Sequence, residues 1–241
     1  AALEGMDAVV HLGGHNIAHG RWTDGMKRLI RSSRVNSTTL LAKTLAGLAN
    51  PPKVLVCASA IGFYGDRGQE VMNEESEPGP TFLSETCRDW EESTAAARDA
   101  GIRVVNLRIG VVLSPQGGAL KKMLLPFKMG GGGVVGDGRQ WMSWLHLDDW
   151  VGIVDWLMSC DGVSGVVNLA APNPVTNAGF MSEMRSAFAP LGVGFPAPAI
   201  AVRVGAVFLR TAPELVLKSR KVVSRVLRDE GYVFRFPVLE E

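Results

Sequence analysis

Two residues in this sequence carry reactive groups where a folded chain would present them to a ligand. Ser59 closes the apolar run Val54-Leu55-Val56-Cys57-Ala58, after which the chain turns through Gly62 to Tyr64-Gly65. A short apolar run bounded by Pro51-Pro52 and Gly62 reads as a strand buried on both faces, as in a parallel sheet. Ligands of open α/β sheets sit beyond the carboxyl ends of the strands, so the Ser59 hydroxyl falls where a small molecule is held. Its competing role is a plain turn cap. His146 follows a glycine-dense segment and precedes a helix start, where a neutral imidazole can act as acid or base. Its competing role is a hydrogen bond to Asp148 or to a backbone group. Arg34 can reach a phosphate or carboxylate, or make a helix salt bridge. Lys121, Lys122 and Arg139 can also meet an anion. Cys57, Cys87 and Cys160 are scattered, with no CxxC or Cys/His spacing, so no metal site is expected. Cys87 reads as an inert helix thiol and Trp90 as core.

Positioning these groups falls to alternating strands and helices. Met6–Leu12 is a buried-strand candidate that ends in Gly13-Gly14. Asp24–Asn50 carries apolar residues on a helical period and stops at Pro51-Pro52. After the Ser59 strand and a polar loop over residues 70–80, Ser84–Ala100 reads as one helix ended by Gly101. Val104–Ile109 is a third strand. Strand, helix, strand, helix, strand argues for βαβ units and a parallel sheet. Beyond Gly110 come a turn at Ser114–Gly118, a short helix over Ala119–Lys128 and the glycine-dense stretch. Asp148-Asp149 then caps a helix over Trp150–Met158. Gly165–Ala170 is a fourth strand, Thr176-Asn177 starts another helix, and residues 199–228 hold helical material interrupted at Pro213.

The totals narrow the function classes. With 241 residues, 46% of them hydrophobic, the chain suits one large domain or one domain with a small lobe. A formal net charge of +1, evenly spread, leaves no stripe for nucleic acid. The most basic stretch, Lys218–Arg228, reads as a solvated helix face. No uninterrupted apolar run approaches the ~20 residues of a membrane helix, and the start lacks the features of a signal peptide. Scattered cysteines point to a reducing, cytoplasmic setting.

The order of strand–Gly-Gly, long helix, strand–Ser–x4–Tyr-Gly, helix, strand–Arg resembles the extended short-chain dehydrogenase/reductases. Within them it resembles an atypical sugar-nucleotide epimerase-like group with a C-terminal domain of unknown function. The residues that carry this are Asp7–Gly14, Arg21-Trp22-Thr23, Ser33-Arg34-Val35 with Thr38, Ser59–Gly65, Trp90-Glu91 and Arg108–Leu113. Gly117-Gly118, Leu124–Phe127, Ser143–His146 with Asp148, and Asn168-Leu169-Ala170 continue the match. Ser219–Val222 and Gly231–Pro237 complete it.

The resemblance implies a Rossmann-type doubly wound parallel sheet over residues 1–170, with 113–145 partly in a substrate lobe. Residues 171–241 would form a smaller α-rich C-terminal lobe. It implies NADP or NAD as cofactor, held by Gly13, Gly14, Ser59, Gly110 and Val111, with the backbone of Gly110 and Val111 facing the nicotinamide carboxamide. The implied partner is a small molecule, a nucleotide-sugar or another carbonyl or hydroxyl compound, with no nucleic acid and no membrane; pairing as a homodimer fits the wider superfamily. Two departures stand out. The strand and glycine turn that cradle the pyrophosphate do not precede Gly13, which we read as one βαβαβ stretch lying upstream of residue 1. The Tyr-x-x-x-Lys pair is also replaced: aligned on Glu91, Leu83 takes the tyrosine position and Cys87 the lysine position. Proton transfer then falls to Ser59, His146 or water. Ser59 lies five residues before Tyr64 where the family places its hydroxyl four before; a one-residue bulge would restore the register. The expected activity is hydride transfer by an NAD(P)-dependent oxidoreductase or epimerase-like protein, with a non-catalytic NAD(P) sensor or scaffold as the alternative.

Overall fold

Valine, leucine and isoleucine crowd the two central strands because both faces of those strands are covered. The computed structural model describes residues 3–18, 20–128, 132–188 and 217–240. Its strands are β1 (Ala8–His11), β2 (Val54–Ala60), β3 (Val71–Met72), β4 (Arg103–Ile109), β5 (Val111–Ser114), β6 (Trp141–Met142), β7 (Trp144–His146), β8 (Gly165–Leu169), β9 (Val175–Thr176) and β10 (Lys221–Val222). The helices are α1 (Asp24–Ala46), α2 (Phe82–Glu92), α3 (Ala95–Asp99), α4 (Gly118–Lys128), α5 (Leu147–Ser159), α6 (Asn177–Phe188) and α7 (Arg225–Asp229). The main sheet is parallel in the order β1-β2-β4-β8. This is the Rossmann-type arrangement, a parallel sheet with helices on both faces. Among the described residues no helix is long and apolar enough to cross a membrane.

Side-chain alternation along β2 and β4 sorts the two layers. Val54, Val56, Val105 and Leu107 pack with Ile153, Val154 and Leu157 of α5. Leu55 and Val104 pack on the other face with Ala42 and Leu45 of α1 and Ala97 of α3. β2 pairs with β4 residue for residue from Val54↔Arg103 to Ala60↔Ile109. The ladder therefore has no bulge at Ser59. Strand β1 pairs in parallel with β2, from Ala8↔Val54 to His11↔Cys57.

Four local readings need correction. The single helix expected over Ser84–Ala100 is two, broken at Ser93-Thr94, where both hydroxyls bond back to the carbonyls of Trp90 and Glu91. Helix α5 starts earlier than predicted and is capped by His146, whose Nδ1 accepts the Asp148 N–H at 3.1 Å. Asp149, read as a cap, is buried and accepts the N–H groups of Arg235 and Phe236 at 2.7 and 2.9 Å. Lys218–Arg228 is not one solvated helix: Lys221-Val222 pairs with β3, and Ser224 caps the short α7. The helices read between 199 and 216 lie outside the described residues.

The C-terminal segment is pinned to the rest by polar anchors. Glu74 accepts from the N–H groups of Asn168 and Arg225 and from the Ser224 hydroxyl. The Ser143 hydroxyl accepts the Val222 N–H at 2.7 Å. A second apolar cluster, with Leu113, Phe127, Trp144, Phe180 and Met184, forms below this segment. Because the buried Asp149 carboxylate accepts two backbone N–H groups, Asp149→Ala is expected to cost about 2 kcal/mol of unfolding free energy. Asp155→Ala, on the exposed face of the same helix, should stay within about 0.5 kcal/mol. Urea titration of the two variants measures the difference.

Candidate cofactor and substrate cavity

A buried ion pair builds the rim of the sheet. Arg108, near the end of β4, is 4% exposed. A guanidinium there requires a counter-charge, and α2 supplies it: Arg108 Nε and Nη2 donate to the two oxygens of Glu91, both at 2.8 Å. Arg108 Nη1 donates to the Tyr64 hydroxyl at 3.0 Å, and Tyr64 donates to Asn168 Oδ1 at 2.7 Å. The guanidinium also stacks 3.3 Å from the centre of the Phe63 ring. Burial alone would lower the Arg108 pKa, but the hydrogen bonds and charge of Glu91 outweigh it and the pKa rises. Burial pushes the Tyr64 phenol up to about 12.

Ser59 joins this network. Its Oγ–H donates to Glu91 Oε1 at 2.6 Å. The proton is committed, so towards a ligand Ser59 acts as a hydrogen-bond acceptor. In front of it opens a cavity of about 520 Å³, lined by Ser59 and Ala60 of β2, Gly62, Ile109 to Val112, Leu83, Cys87 and Trp90 of α2, and Ile30 and Arg34 of α1. Its lining is mostly apolar. Its ionisable groups among the described residues are Arg34, Cys87 and Arg220. Cys87 is buried, which pushes its pKa up to about 11, and it is a neutral thiol at ordinary pH.

Of the residues singled out in the sequence, Ser59, Gly110 and Val111 meet in this cavity. Their roles are narrower than expected. The Gly110 and Val111 N–H groups are spent on Leu169 O and Ser143 O, each at 2.9 Å, so they are not free donors for a carboxamide. Glycine at 110 has a packing cause: a Cβ there would lie 2.8 Å from Ser143 O and 3.0 Å from Leu169 O. Gly13 and Gly14 run between Leu12 and Ile17, which do line the cavity. A Cβ on Gly14 would come within 3.0 Å of Arg34 Cζ. His146 is placed elsewhere. Besides capping α5, it stacks 4.0 Å from the Phe236 ring and faces a separate apolar pocket of about 300 Å³ with Leu113, Phe180 and Met184. Leu83 and Cys87 sit in the Ser59 cavity, and Arg34 makes no helix salt bridge among the described residues.

A family model described as the NAD dependent epimerase/dehydratase family matches residues 1–170. The chain belongs to that family. A second model, a domain of unknown function (DUF1731), matches residues 197–241. Within the family, the chain is 39% identical over 244 residues to the epimerase family protein Mb2239 of Mycobacterium bovis, covering 100% of this chain and 78% of the relative. The human epimerase family protein SDR39U1 (isoform 2), solved with NADPH, superposes with a TM-score of 0.89 at 36% identity, over 99% of this chain and 80% of that one. A nucleoside-diphosphate sugar epimerase from Corynebacterium glutamicum superposes with a TM-score of 0.79 at 37% identity, over 99% of this chain and 45% of that one.

The Glu91–Arg108 pair is the part that sequence reading used only for alignment. Its signal was present: Arg108 is a charge inside the apolar strand VVNLRI, and a buried charge demands a partner. Two outcomes follow. Glu91→Gln removes the counter-charge of a buried guanidinium and is expected to cost about 3–5 kcal/mol, read by chemical unfolding. Tyr64 keeps its proton in the fold up to about 12. An unfolded tyrosine loses its proton near 10, so this contribution to stability is complete below about pH 10 and falls as pH rises to about 12. Tyr64→Phe should flatten that alkaline loss in a pH series of unfolding curves.

Proposed function

We propose that the Ser59 cavity receives the nicotinamide end of NADPH or NADH together with a small substrate, and that the protein exchanges hydride between them. The observation that carries this reading is the cavity's position at the carboxyl ends of β2 and β4, with the Ser59 hydroxyl on its wall. The NADPH in the human relative supports the same reading. A flat, largely apolar ring fits a lining of Leu83, Ile109, Val111 and Trp90. Ser59 would bond it as an acceptor, while Gly14 leaves room beside Arg34 and Gly13 leaves room beside the His11 ring. The bound nicotinamide supplies the hydride donor or acceptor; this chain supplies position and an apolar surround. A nucleotide-sugar, or another compound with a carbonyl or hydroxyl, is the substrate class suggested by the relatives. The three free cysteines suit work in a reducing cytoplasm.

One observation favours a second reading, a cofactor-binding protein without turnover. The cavity is lined by no group that titrates near neutral pH among the described residues: Cys87 is raised to about 11, the other two are guanidinium groups, and the buried Tyr64 is raised to about 12. A proton must then come from water or from the substrate itself. Fluorescence titration of the full-length protein with NADPH separates the outcomes. The expected result is micromolar binding, weakened about tenfold by Ser59→Val and unchanged within about twofold by Cys87→Ala. Oxidation of NADPH with any member of a panel of carbonyl compounds and nucleotide-sugars supports the enzyme; binding with no oxidation supports the second reading. Wild-type protein that binds neither NADPH nor NADH overturns both.

A further inference from the structure

Three guanidinium groups at this end of the fold are treated differently. Arg108 is neutralised by Glu91 through its Nε–Nη2 edge. Arg31, one turn before Arg34 on α1, pairs with Asp89 of α2. Arg34 pairs with no carboxylate among the described residues, although it lines the cavity. Its Nη1 donates to the carbonyls of His15 and Ile30, both at 3.0 Å, and this fixes the head group. Its Nε and Nη2 make no hydrogen bond among the described residues. They form the same edge that grips a carboxylate in Arg108.

The surroundings keep that edge open and charged. Trp90 lies 5.0 Å beneath the guanidinium. Gly14 adds no side chain where a Cβ would stand 3.2 Å from Nη2. Glu91, next to Trp90 on α2, is consumed by Ser59 and Arg108. Arg220, also on the wall, is engaged within the fold. Burial lowers the Arg34 pKa from its ordinary value, yet a guanidinium does not deprotonate in a protein. A fixed cation is thus partly desolvated with a bidentate edge unfilled, and an oxyanion is the ligand chemistry that completes it.

We propose that Arg34 docks the carboxylate or phosphate of an acidic substrate, and so selects the substrate class of this cavity. The proposal rests on the cavity being the cofactor and substrate site. An uncharged carbonyl compound would leave the Arg34 edge bare; a carboxylated or phosphorylated one would be held by it with the rest of the molecule against the Leu83–Cys87 wall.

Calorimetric titration of the full-length protein with malonate and with inorganic phosphate tests this, with and without saturating NADPH. At least one probe should bind at millimolar concentration, about tenfold more weakly in Arg34→Gln, with partial recovery in Arg34→Lys. The Arg34 Nε–H resonance, identified by its loss in Arg34→Gln, should shift on adding the probe. NADPH affinity should stay within about twofold in both variants, and their circular dichroism should match wild type. Equal probe binding by wild type and Arg34→Gln, or no shift of that resonance, overturns the proposal. So does a tenfold loss of NADPH affinity in Arg34→Gln with probe binding unchanged, because the guanidinium would then serve the cofactor's own phosphate. NADPH failing to bind wild type counts against the cofactor reading alone, since the probe titrations are read without it.

Discussion

The bond between Glu91 and Arg108 is the constraint on which the site depends. A guanidinium near the end of a buried strand is tolerable only if its charge and all three of its nitrogens are satisfied. Glu91 takes two of them and Tyr64 the third. Meeting that demand fixes helix α2 against the sheet and brings Cys87 and Leu83 to the cavity wall. It also draws the Ser59 hydrogen towards Glu91 and away from the cavity. Through Tyr64 and Asn168 the same network reaches Val223 and the C-terminal segment. Geometry at the rim is therefore set by electrostatics, while the layers beneath it are held by apolar packing.

The consequence for chemistry is a cavity whose ionisable wall groups among the described residues are guanidinium or neutral thiol. Leu83 brings no proton donor to that wall and Cys87 no mobile cation. Cys87 is held as a thiol by burial, 3.6 Å from Ala60 O, so it replaces neither function.

The parallel sheet was legible because β2 and β4 must be apolar on both faces, and the place of Ser59 at the rim because it closes the apolar run of β2. Elements decided by a few hydrogen bonds were not. The break at Ser93-Thr94 depends on two hydroxyls turning back on their own helix, which a smooth apolar period conceals. His146 rather than Asp148 caps α5, and Asp149 is taken by residues 86 and 87 positions further along, a distance at which sequence reading has no handle. The amides of Gly110 and Val111 looked available because a Gly-Val turn carries no mark of where its N–H groups go.

The anchoring of the C-terminal segment has a bearing on synthesis. Among the described residues strand β3 pairs only with β10, and Glu74 and Ser143 bond to residues 220–225. Closing loops of such length is entropically slow compared with local helix formation. The sheet can assemble while the polypeptide is still emerging from the ribosome. The chamber in front of Ser59 cannot, since Arg220 on its wall arrives among the later residues. A nascent chain therefore holds an open, apolar, unfinished chamber until residues 220–225 are free to close it, the interval in which chaperones would engage it.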